Sequence, residues 1–181
     1  MDLQNKIVKA DIEIYHRRFY EERDYRKDCR LVFMKRITPV NRLNRGKRFH
    51  KRIQDEWKNE AEGSVKSERY CVKPSGRKGR MDIHVEVGDK DRLVSCVEIK
   101  NTDWDLIDEK RIRTYVSRQA GQVWDYIESE LERRKDVSPG IIFPKKPKSK
   151  RKLNMIEKLF DERGIPVVWM DESIEESKKR N

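Results

Sequence analysis

The sequence predicts an α/β protein in which a mixed β-sheet is flanked by helices. Two observations carry this prediction. Short apolar runs of strand length recur along the chain, and they alternate with longer segments whose apolar residues repeat every three or four positions. Strands joined by a short turn pair antiparallel, whereas strands on either side of a long helix become parallel neighbours through a right-handed crossover. The order of the segments therefore predicts a mixed sheet that contains both antiparallel and parallel strand pairs.

Length and composition indicate one folded domain. The chain has 181 residues, of which 43% are charged and 35% hydrophobic, so a core can form beneath a surface crowded with ions. The formal net charge of +11 attracts polyanions, and nucleic acid is the first candidate partner. No segment approaches the roughly 20 apolar residues of a membrane span, and the N-terminus has no signal-peptide pattern. A cytoplasmic (intracellular) protein with no membrane partner is expected.

The first part of the chain is predicted to hold an accessory segment and then the first helix of the domain. Residues 1–44 form an N-terminal accessory segment with helical spacing of its apolar residues. Pro39 and the asparagines within 41–44 are expected to interrupt the chain before the next helix. The apolar stripe of that helix is Phe49, Ile53 and Trp57. The helix ends near Gly63, and a strand follows over residues 64–72.

The rest of the chain is predicted to alternate strands and helices. In order, these are two strands around a polar turn at 88–92, an amphipathic helix over about 108–134, a strand at 140–143, a helix through 155–160 and a strand at 165–170. Ser138 and Pro139 are expected to end the region before the 140–143 strand, and Gly164 is expected to stop the last helix. The domain is therefore placed at residues 45–170, with a polar C-terminal tail at 171–181.

The two strands around the turn at 88–92 carry the candidate chemistry. Their odd-numbered positions form an apolar face, and their even-numbered positions form a charged face. The charged face consists of Asp82, His84, Glu86, Glu98 and Lys100. A turn centred near Lys90 places Asp82 directly opposite Glu98, with their Cβ atoms about 5 Å apart.

Two carboxylates in this position repel each other unless a cation lies between them. Oxygen ligands of this kind suit Mg²⁺ or Mn²⁺, which use one or two carboxylates and keep several waters. Lys100 follows Glu98 on the same face, where an ammonium can orient water or stabilise charge on a phosphate. The alternative is an amphipathic strand whose charged residues are simply solvated, with His84 as a surface or packing histidine.

The combination of motifs resembles the PD-(D/E)XK nuclease superfamily, and in particular its RecB-type branch. The matching segments are Gly79-Arg80-Met81-Asp82, Glu98-Ile99-Lys100 and Gln122-Val123-Trp124-Asp125-Tyr126. They correspond to the G-x-x-D, E-x-K and Q-x-x-x-Y motifs of that branch, although Met81 stands where the superfamily name has proline.

The resemblance implies a restriction-endonuclease-like core and a metal-dependent phosphodiesterase. It makes Asp82, Glu98 and the Ile99 carbonyl the metal ligands. It makes Lys100 the catalytic lysine. The sequence of elements extends the resemblance from the motifs to about Met170.

Further side chains are predicted to join the catalytic group. Relatives often supply an acid from the helix before the sheet, and Glu56 is chosen over Glu60 because it lies beside Trp57. Gln122 and Tyr126 lie one turn apart on the inward face of the long helix, where polar groups need partners. We assign them to the metal's water, to the Lys100 ammonium or to the substrate backbone. The alternative for both is a hydrogen-bonded edge of the core.

Basic residues around the charged strands are predicted to position phosphates. Three clusters occur, at 42–52, 77–80 and 145–152, and the second immediately precedes Asp82. The residues assigned to nucleic-acid binding are Arg77, Lys78, Arg80, Lys145, Lys146 and Lys148. Such groups neutralise phosphates and make binding depend on salt, but they do not read sequence.

The expected function is that of a Mg²⁺-dependent (or Mn²⁺-dependent) deoxyribonuclease that hydrolyses phosphodiester bonds in nucleic acid, with DNA favoured over RNA. Two alternatives are retained: a non-catalytic nucleic-acid-binding module, and an assembly subunit of a defence, repair or viral replication complex. The expected partner is nucleic acid. Endonuclease and exonuclease action are both left open, as is a homodimer.

Overall fold

The computed structural model describes residues 39–171, except for residues 62, 74 and 88–92. The predicted accessory segment therefore lies outside the described residues up to residue 38. The polar turn at 88–92 and the C-terminal tail from residue 172 also lie outside them.

The described chain folds into a five-stranded mixed sheet flanked by helices, which confirms the predicted α/β class. The elements are α1 (Pro39–Glu60), β1 (Ser64–Val72), β2 (Lys78–Val87), β3 (Leu93–Ile99), a 3-10 helix (Trp104–Leu106), α2 (Glu109–Leu131), β4 (Asp136–Phe143), α3 (Lys150–Asp161) and β5 (Val167–Trp169). The strands lie side by side in chain order. β1, β2 and β3 pair antiparallel, and β4 and β5 add parallel to β3. No helix of the described residues is long and apolar enough to cross a membrane.

β2 and β3 pair in the predicted register. Ile83 faces Val97, and Val87 faces Leu93. The ladder ends one position before Asp82 and Glu98, and the charge of Asp82 lies close enough to act on Glu98. Since a slip of one residue would send every side chain to the other face, this register decides which residues can meet.

Helix α1 covers one face of the sheet through its predicted apolar stripe. Phe49, Ile53 and Trp57 are all buried. They pack against Ile83, Val85, Val97, Ile99, Ile142, Val168 and Met170. Burial of each large apolar side chain contributes about 1.5–3 kcal/mol, so this contact fixes α1 on the sheet.

The other face of the sheet is covered by α2, α3 and the 3-10 helix. Its core includes the rings of Trp104, Phe143, Phe160 and Trp169, which contact one another. The charged face predicted for β2 and β3 lies on this side and is not solvated: His84 is 0% exposed and Glu98 is 3% exposed. The solvated alternative is therefore wrong for these two residues, because α2 lies over them. His84 is a packing histidine, in contact with Glu130 and Arg69.

The predicted break between residues 39 and 44 is wrong. Helix α1 begins at Pro39 and runs through the asparagine-rich stretch without interruption. Proline is well suited to the first helical position because its missing N–H would have no partner there. The helix therefore crosses the boundary that we predicted between accessory segment and domain at residues 44 and 45.

The start of β4 also differs from the prediction, since Ser138 and Pro139 lie inside the strand. Pro139 faces Cys96 of β3, and pairing with β5 begins only at Ile141. The Ile141 N–H donates toward β5, to the Pro166 carbonyl. The nitrogen of Pro139 points to the same side two residues earlier, where no ladder bond is required.

Helix α3 ends as predicted. Gly164 has a φ of 64°, a left-handed conformation that favours glycine after a helix. The following strand is shorter than predicted, because only Val167–Trp169 pair with β4.

Candidate active site

The candidate site lies where the carboxyl end of β3 meets the amino end of β2, between α1 and α2. β3 supplies Glu98 and is followed at once by Lys100, and β2 supplies Asp82. Helix α2 contributes Gln122 and Tyr126, and the second half of α1 crosses the other side.

A local break in strand pairing orients Asp82. The β1–β2 ladder omits the pair formed by Glu68 and Asp82, and Glu68 has a φ of 57°, which costs a non-glycine residue about 1–2 kcal/mol. The Asp82 carbonyl accepts a hydrogen bond from Gln54 Nε2 at 3.0 Å. Its carboxylate Oδ2 accepts one from the Ile99 N–H at 2.8 Å. The carboxylate is thereby turned toward the end of β3.

The same break corrects the predicted alternation of odd-numbered residues. Ile83 packs on the α1 side of the sheet, as expected. Met81 instead packs with Tyr126 on the α2 side. Strict alternation therefore fails at Asp82, between these two apolar residues.

Glu98 is a buried carboxylate with one unsatisfied oxygen. Its Oε1 accepts hydrogen bonds from Lys100 Nζ at 2.5 Å and from Gln122 Nε2 at 2.8 Å. Its Oε2 is buried and has no hydrogen-bond partner within the described chain. Burial, followed by the nearby charge of Asp82, raises the pKa of Glu98 to about 7, although Lys100 acts in the opposite direction.

Gln122 links the strand residues to helix α2. Its Oε1 accepts a hydrogen bond from Lys100 Nζ at 2.8 Å, and its Nε2 donates to Tyr126 Oη at 2.8 Å. Tyr126 in turn donates to the Arg80 carbonyl at 2.8 Å. Burial and the charge of Glu98 raise the pKa of Tyr126, so its hydroxyl stays protonated and serves as a tie between α2 and β2.

Gly79 allows this close approach of α2 to β2. A Cβ atom at Gly79 would lie 3.1 Å from Tyr126 Cε1 and 3.1 Å from Cys71 Sγ. Both distances are shorter than ordinary van der Waals contacts. Glycine at this position of the predicted G-x-x-D motif therefore has a packing reason.

Helix α1 reaches the site through two residues that the sequence analysis missed. His50 Nδ1 lies 3.5 Å from Asp82 Oδ1, and Gln54 holds the Asp82 carbonyl. Both flank the buried stripe on one side, four residues apart. Glu56, the predicted acid, lies near Arg52 Nε at 3.8 Å, and its catalytic role stays a prediction. The spacing of His50 and Gln54 by four residues, directly after Phe49 and Ile53 of the buried stripe, is the sequence signal that could have indicated two polar side chains at the border of this contact.

The predicted phosphate-binding residues fall into two sets, one around the start of β2 and one after β4. Arg77 and Lys78 are exposed near the start of β2, and Arg80 pairs with Glu68 at 2.7 Å. All three residues precede Asp82 along the chain, at the start of β2 or just before it.

The second predicted set follows β4. Lys145 is held by Asp103 at 3.1 Å and Asp105 at 3.2 Å, which together raise the pKa of Lys145 against the effect of its burial. The backbone N–H groups of Lys146 and Lys148 donate to Asp171 and Asp105. The charge of Lys145 is therefore largely committed to these aspartates.

The donors present fit a small divalent cation. Asp82 and Glu98 supply carboxylate oxygens, the unsatisfied Glu98 Oε2 lacks a partner, and His50 adds an imidazole beside Asp82. Within the described ranges, no group of three or more His, Cys, Asp and Glu side chains is arranged to hold a metal ion. A bound ion would therefore complete its shell with water or backbone oxygen, as Mg²⁺ does. The role of the Ile99 carbonyl stays a prediction.

The structure brings the three predicted motifs together. The Arg80 carbonyl of the first motif, Glu98 with Lys100 of the second, and Gln122 with Tyr126 of the third meet in one hydrogen-bonded group. The comparison with models of protein families and the search of curated proteins find no match to this chain. Its function must therefore be inferred from the site itself.

Proposed function

We propose that this chain is a Mg²⁺- or Mn²⁺-dependent nuclease that hydrolyses phosphodiester bonds in nucleic acid, with DNA favoured. One observation carries the proposal: the buried Glu98 carboxylate lies near the charge of Asp82, and one of its oxygens has no hydrogen-bond partner among the described residues. A buried carboxylate oxygen without a hydrogen-bond partner is rare unless it serves a ligand or a reaction. A divalent cation satisfies both carboxylates at once.

The side chains at the site have distinct roles in this proposal. Asp82 and Glu98 hold the metal, which when bound polarises the phosphate and lowers the pKa of a coordinated water. Lys100 is 23% exposed, so its ammonium reaches solvent and substrate while Glu98 and Gln122 fix its direction. From there it orients the attacking water or donates a hydrogen bond to the charge that develops on the phosphate.

Glu98 also determines how the site responds to protons. Because the pKa of Glu98 lies at about 7 without metal, metal binding at neutral pH releases a proton from this carboxyl in part of the molecules. Gln122 positions Lys100, and Tyr126 positions Gln122.

The fold supports the family resemblance that the motifs carry. An antiparallel β1–β2–β3 unit continues through α2 into parallel β4, and the candidate site lies at the carboxyl end of β3. We therefore propose a restriction-endonuclease-like core of the PD-(D/E)XK superfamily. Nucleic acid as the partner is supported by the net charge of +11 and by the basic residues near Asp82.

Cleavage of nucleic acid by the purified chain tests the proposal. Linear DNA, circular DNA and RNA are incubated with and without Mg²⁺ or Mn²⁺, and products are resolved on gels. We expect metal-dependent cleavage, lowered at least about 100-fold by Lys100→Ala. Lys110→Ala, which removes an exposed lysine from α2, is the matched control and should cut like the parent.

Two results would contradict the nuclease. One is the absence of metal-dependent cleavage on every substrate. The other is equal cleavage by Lys100→Ala and the parent, with circular dichroism showing that both are folded. Tight binding of nucleic acid without cleavage would instead support the non-catalytic binding module.

A further inference from the structure

An open cleft of about 510 Å³ lies beside the candidate active site. Its walls come from α1, from the segment that follows β3 and from the segment that follows β4. The polar residues that line it include Arg45, Arg48, Arg52, Asn101, Thr102 and Lys145. We call this cavity the arginine cleft. Its volume falls within the range of about 300–1,000 Å³ that is typical of ligand sites.

Three arginines form one wall of the arginine cleft. Arg45, Arg48 and Arg52 follow one another at spacings of three and four residues, which places them on one side of α1. Arg52 has a carboxylate nearby, Glu56, at 3.8 Å. Among the residues that the structure describes, neither Arg45 nor Arg48 forms an ion pair. Within the described part of the chain, these two guanidinium groups have no carboxylate partner that would compete with an anion.

The opposite wall is polar and is fixed by the fold. Asn101 and Thr102 follow directly after Lys100, and Gln119 of α2 donates to Thr102 Oγ1 at 3.0 Å. A Cβ atom at Gly46 would lie 3.5 Å from Asn101 Nδ2, so α1 passes close to this segment. Lys145, the fourth cation, is tied to Asp103 and Asp105.

Both walls of the arginine cleft belong to segments that also carry residues of the candidate site. One wall continues the chain from Lys100. The other belongs to the same helix whose His50 reaches Asp82. A nucleic-acid strand with a phosphate at Lys100 therefore has a neighbouring nucleotide at the opening of the cleft.

We propose that the arginine cleft binds a nucleotide of the substrate strand next to the cleaved bond, with Arg45 and Arg48 on its phosphate. This inference rests on the proposed nuclease function. Guanidinium groups match phosphate oxygens in pairs of parallel hydrogen bonds. Contacts to phosphate carry no direct sequence information, so this part of the site accepts any base. Of the residues that line the cleft, Lys145 was assigned to nucleic-acid binding from the sequence, and Arg45 and Arg48 fall within the basic cluster at 42–52 without having been assigned individually.

The test compares two double variants of helix α1. Arg45→Gln/Arg48→Gln removes two charges from the cleft, and Lys47→Gln/Lys51→Gln removes two exposed charges of the same helix that do not line it. Binding of a fluorescent oligonucleotide, single-stranded and duplex, is measured by anisotropy in EDTA over a series of salt concentrations. Binding in EDTA does not depend on cleavage, and thermal unfolding confirms that the variants are folded.

We expect the cleft variant to bind about tenfold more weakly than the parent. Its slope of log K against log salt should fall by about 0.9 for each lost contact on duplex, or about 0.7 on a single strand. The control should keep the slope of the parent. With Mg²⁺, the cleft variant should show a raised KM with kcat little changed, because it loses substrate binding and retains Lys100.

The outcomes separate this inference from the nuclease proposal. If the parent cuts and the two double variants have the same affinity and salt slope, the arginine cleft is not a substrate site and the nuclease stands. If the parent does not cut, the nuclease proposal fails. If in that case only the cleft variant shows a smaller slope of log K against log salt, the cleft is a nucleic-acid-binding site with no cleaved bond beside it. Equal loss in both double variants overturns the inference, because it reveals only a diffuse charge effect.

Discussion

Glu98 is held in the fold at a cost in stability when no cation is present. It is 3% exposed, and burial together with Asp82 raises its pKa to about 7. In the unfolded chain the same carboxyl titrates near its ordinary value of 4.5. Between these two values the folded state binds more protons than the unfolded state, so raising the pH lowers the free energy of unfolding.

The first prediction concerns the metal-free protein as a function of pH. From pH 5 to pH 8 the free energy of unfolding should fall by about 2–3 kcal/mol through Glu98, at about 1.4 kcal/mol for each unit of pKa shift. Glu98→Gln should flatten this dependence and be more stable than the parent at pH 8. Urea unfolding in EDTA at several pH values measures both effects.

The control for this prediction is Glu128→Gln, at an exposed position of α2. It should follow the pH dependence of the parent. A Glu98→Gln variant with the same dependence would show that the Glu98 carboxyl titrates in the folded state as it does in the unfolded chain.

The second prediction concerns Gln122, which touches Lys100, Glu98 and Tyr126. Gln122→Met keeps the length of the side chain but removes its hydrogen bonds. We expect kcat to fall about tenfold with KM nearly unchanged, because Lys100 loses the acceptor that fixes its direction. Steady-state cleavage measures this, with Glu128→Met as the control. A change in KM alone would mean that Gln122 contributes to binding and does not position Lys100.

Individual site residues were predictable to different degrees. Asp82, Glu98 and Lys100 follow from alternation and register within one hairpin, so local sequence is enough to place them together. His50 was missed because the sequence of one helix does not show which residues of the sheet a histidine on that helix will contact. That placement depends on contacts between residues far apart in sequence.

At the scale of elements, α1 is fixed by its buried stripe and carries both His50 and the arginine cleft. Its start was misplaced because the asparagines at 41–44 suggested a loop, whereas Pro39 begins the helix. The stripe itself was predicted correctly, since apolar spacing within one helix is a local signal.

The third prediction tests how strongly this helix is held. Ile53 is 0% exposed and lies at the centre of the contact with the sheet. Ile53→Ala should lower the free energy of unfolding by about 2–4 kcal/mol through lost burial and the resulting cavity. Leu43→Ala, at a side chain that is 60% exposed, should change it by less than about 0.5 kcal/mol. Urea unfolding compares them, and equal small effects would mean that α1 is only loosely packed.

Two features of the strands were beyond sequence reasoning. The break in alternation at Asp82 depends on Glu68 of β1 and on Gln54 of α1, neither of which is close in sequence. Pro139 is tolerated within β4 only because pairing with β5 starts two residues later. Both depend on neighbours that the local pattern does not reveal.

At the scale of the whole molecule, the two neighbours of β3 were the most predictable property: β2 pairs with it antiparallel across the turn, and β4 pairs with it parallel across α2. A hairpin, a long helix and short apolar runs permit few arrangements, and the sheet follows the chain from β1 to β5. The burial of the charged face was less predictable. Predicting this burial requires knowing that α2 lies over β2 and β3. That helix covers both His84, which had been assigned to the surface or to packing, and Glu98, which had been assigned to the metal.

The fourth prediction is that a divalent cation stabilises the entire fold. Binding to the folded state alone adds about 2.7 kcal/mol when the free metal concentration is 100 times its Kd. For a chain of this size that corresponds to a rise in Tm of about 5–10 °C. Differential scanning calorimetry at pH 8 with and without Mg²⁺ measures the shift. Asp82→Asn should abolish most of it, and an unchanged shift would place the ion elsewhere in the molecule.

The left-handed Glu68 has a consequence beyond the orientation of Asp82. β1 is the outer strand of the sheet in the described part of the chain, and it exposes Tyr70 and Val72 to solvent. A straight outer strand offers its unpaired backbone groups to a strand of another molecule. The kink at Glu68 interrupts that row midway along β1, and Lys66 adds a charge close to it. The distortion that aims a carboxylate inward thus also makes the outer edge a poor template for intermolecular β-sheet growth and aggregation.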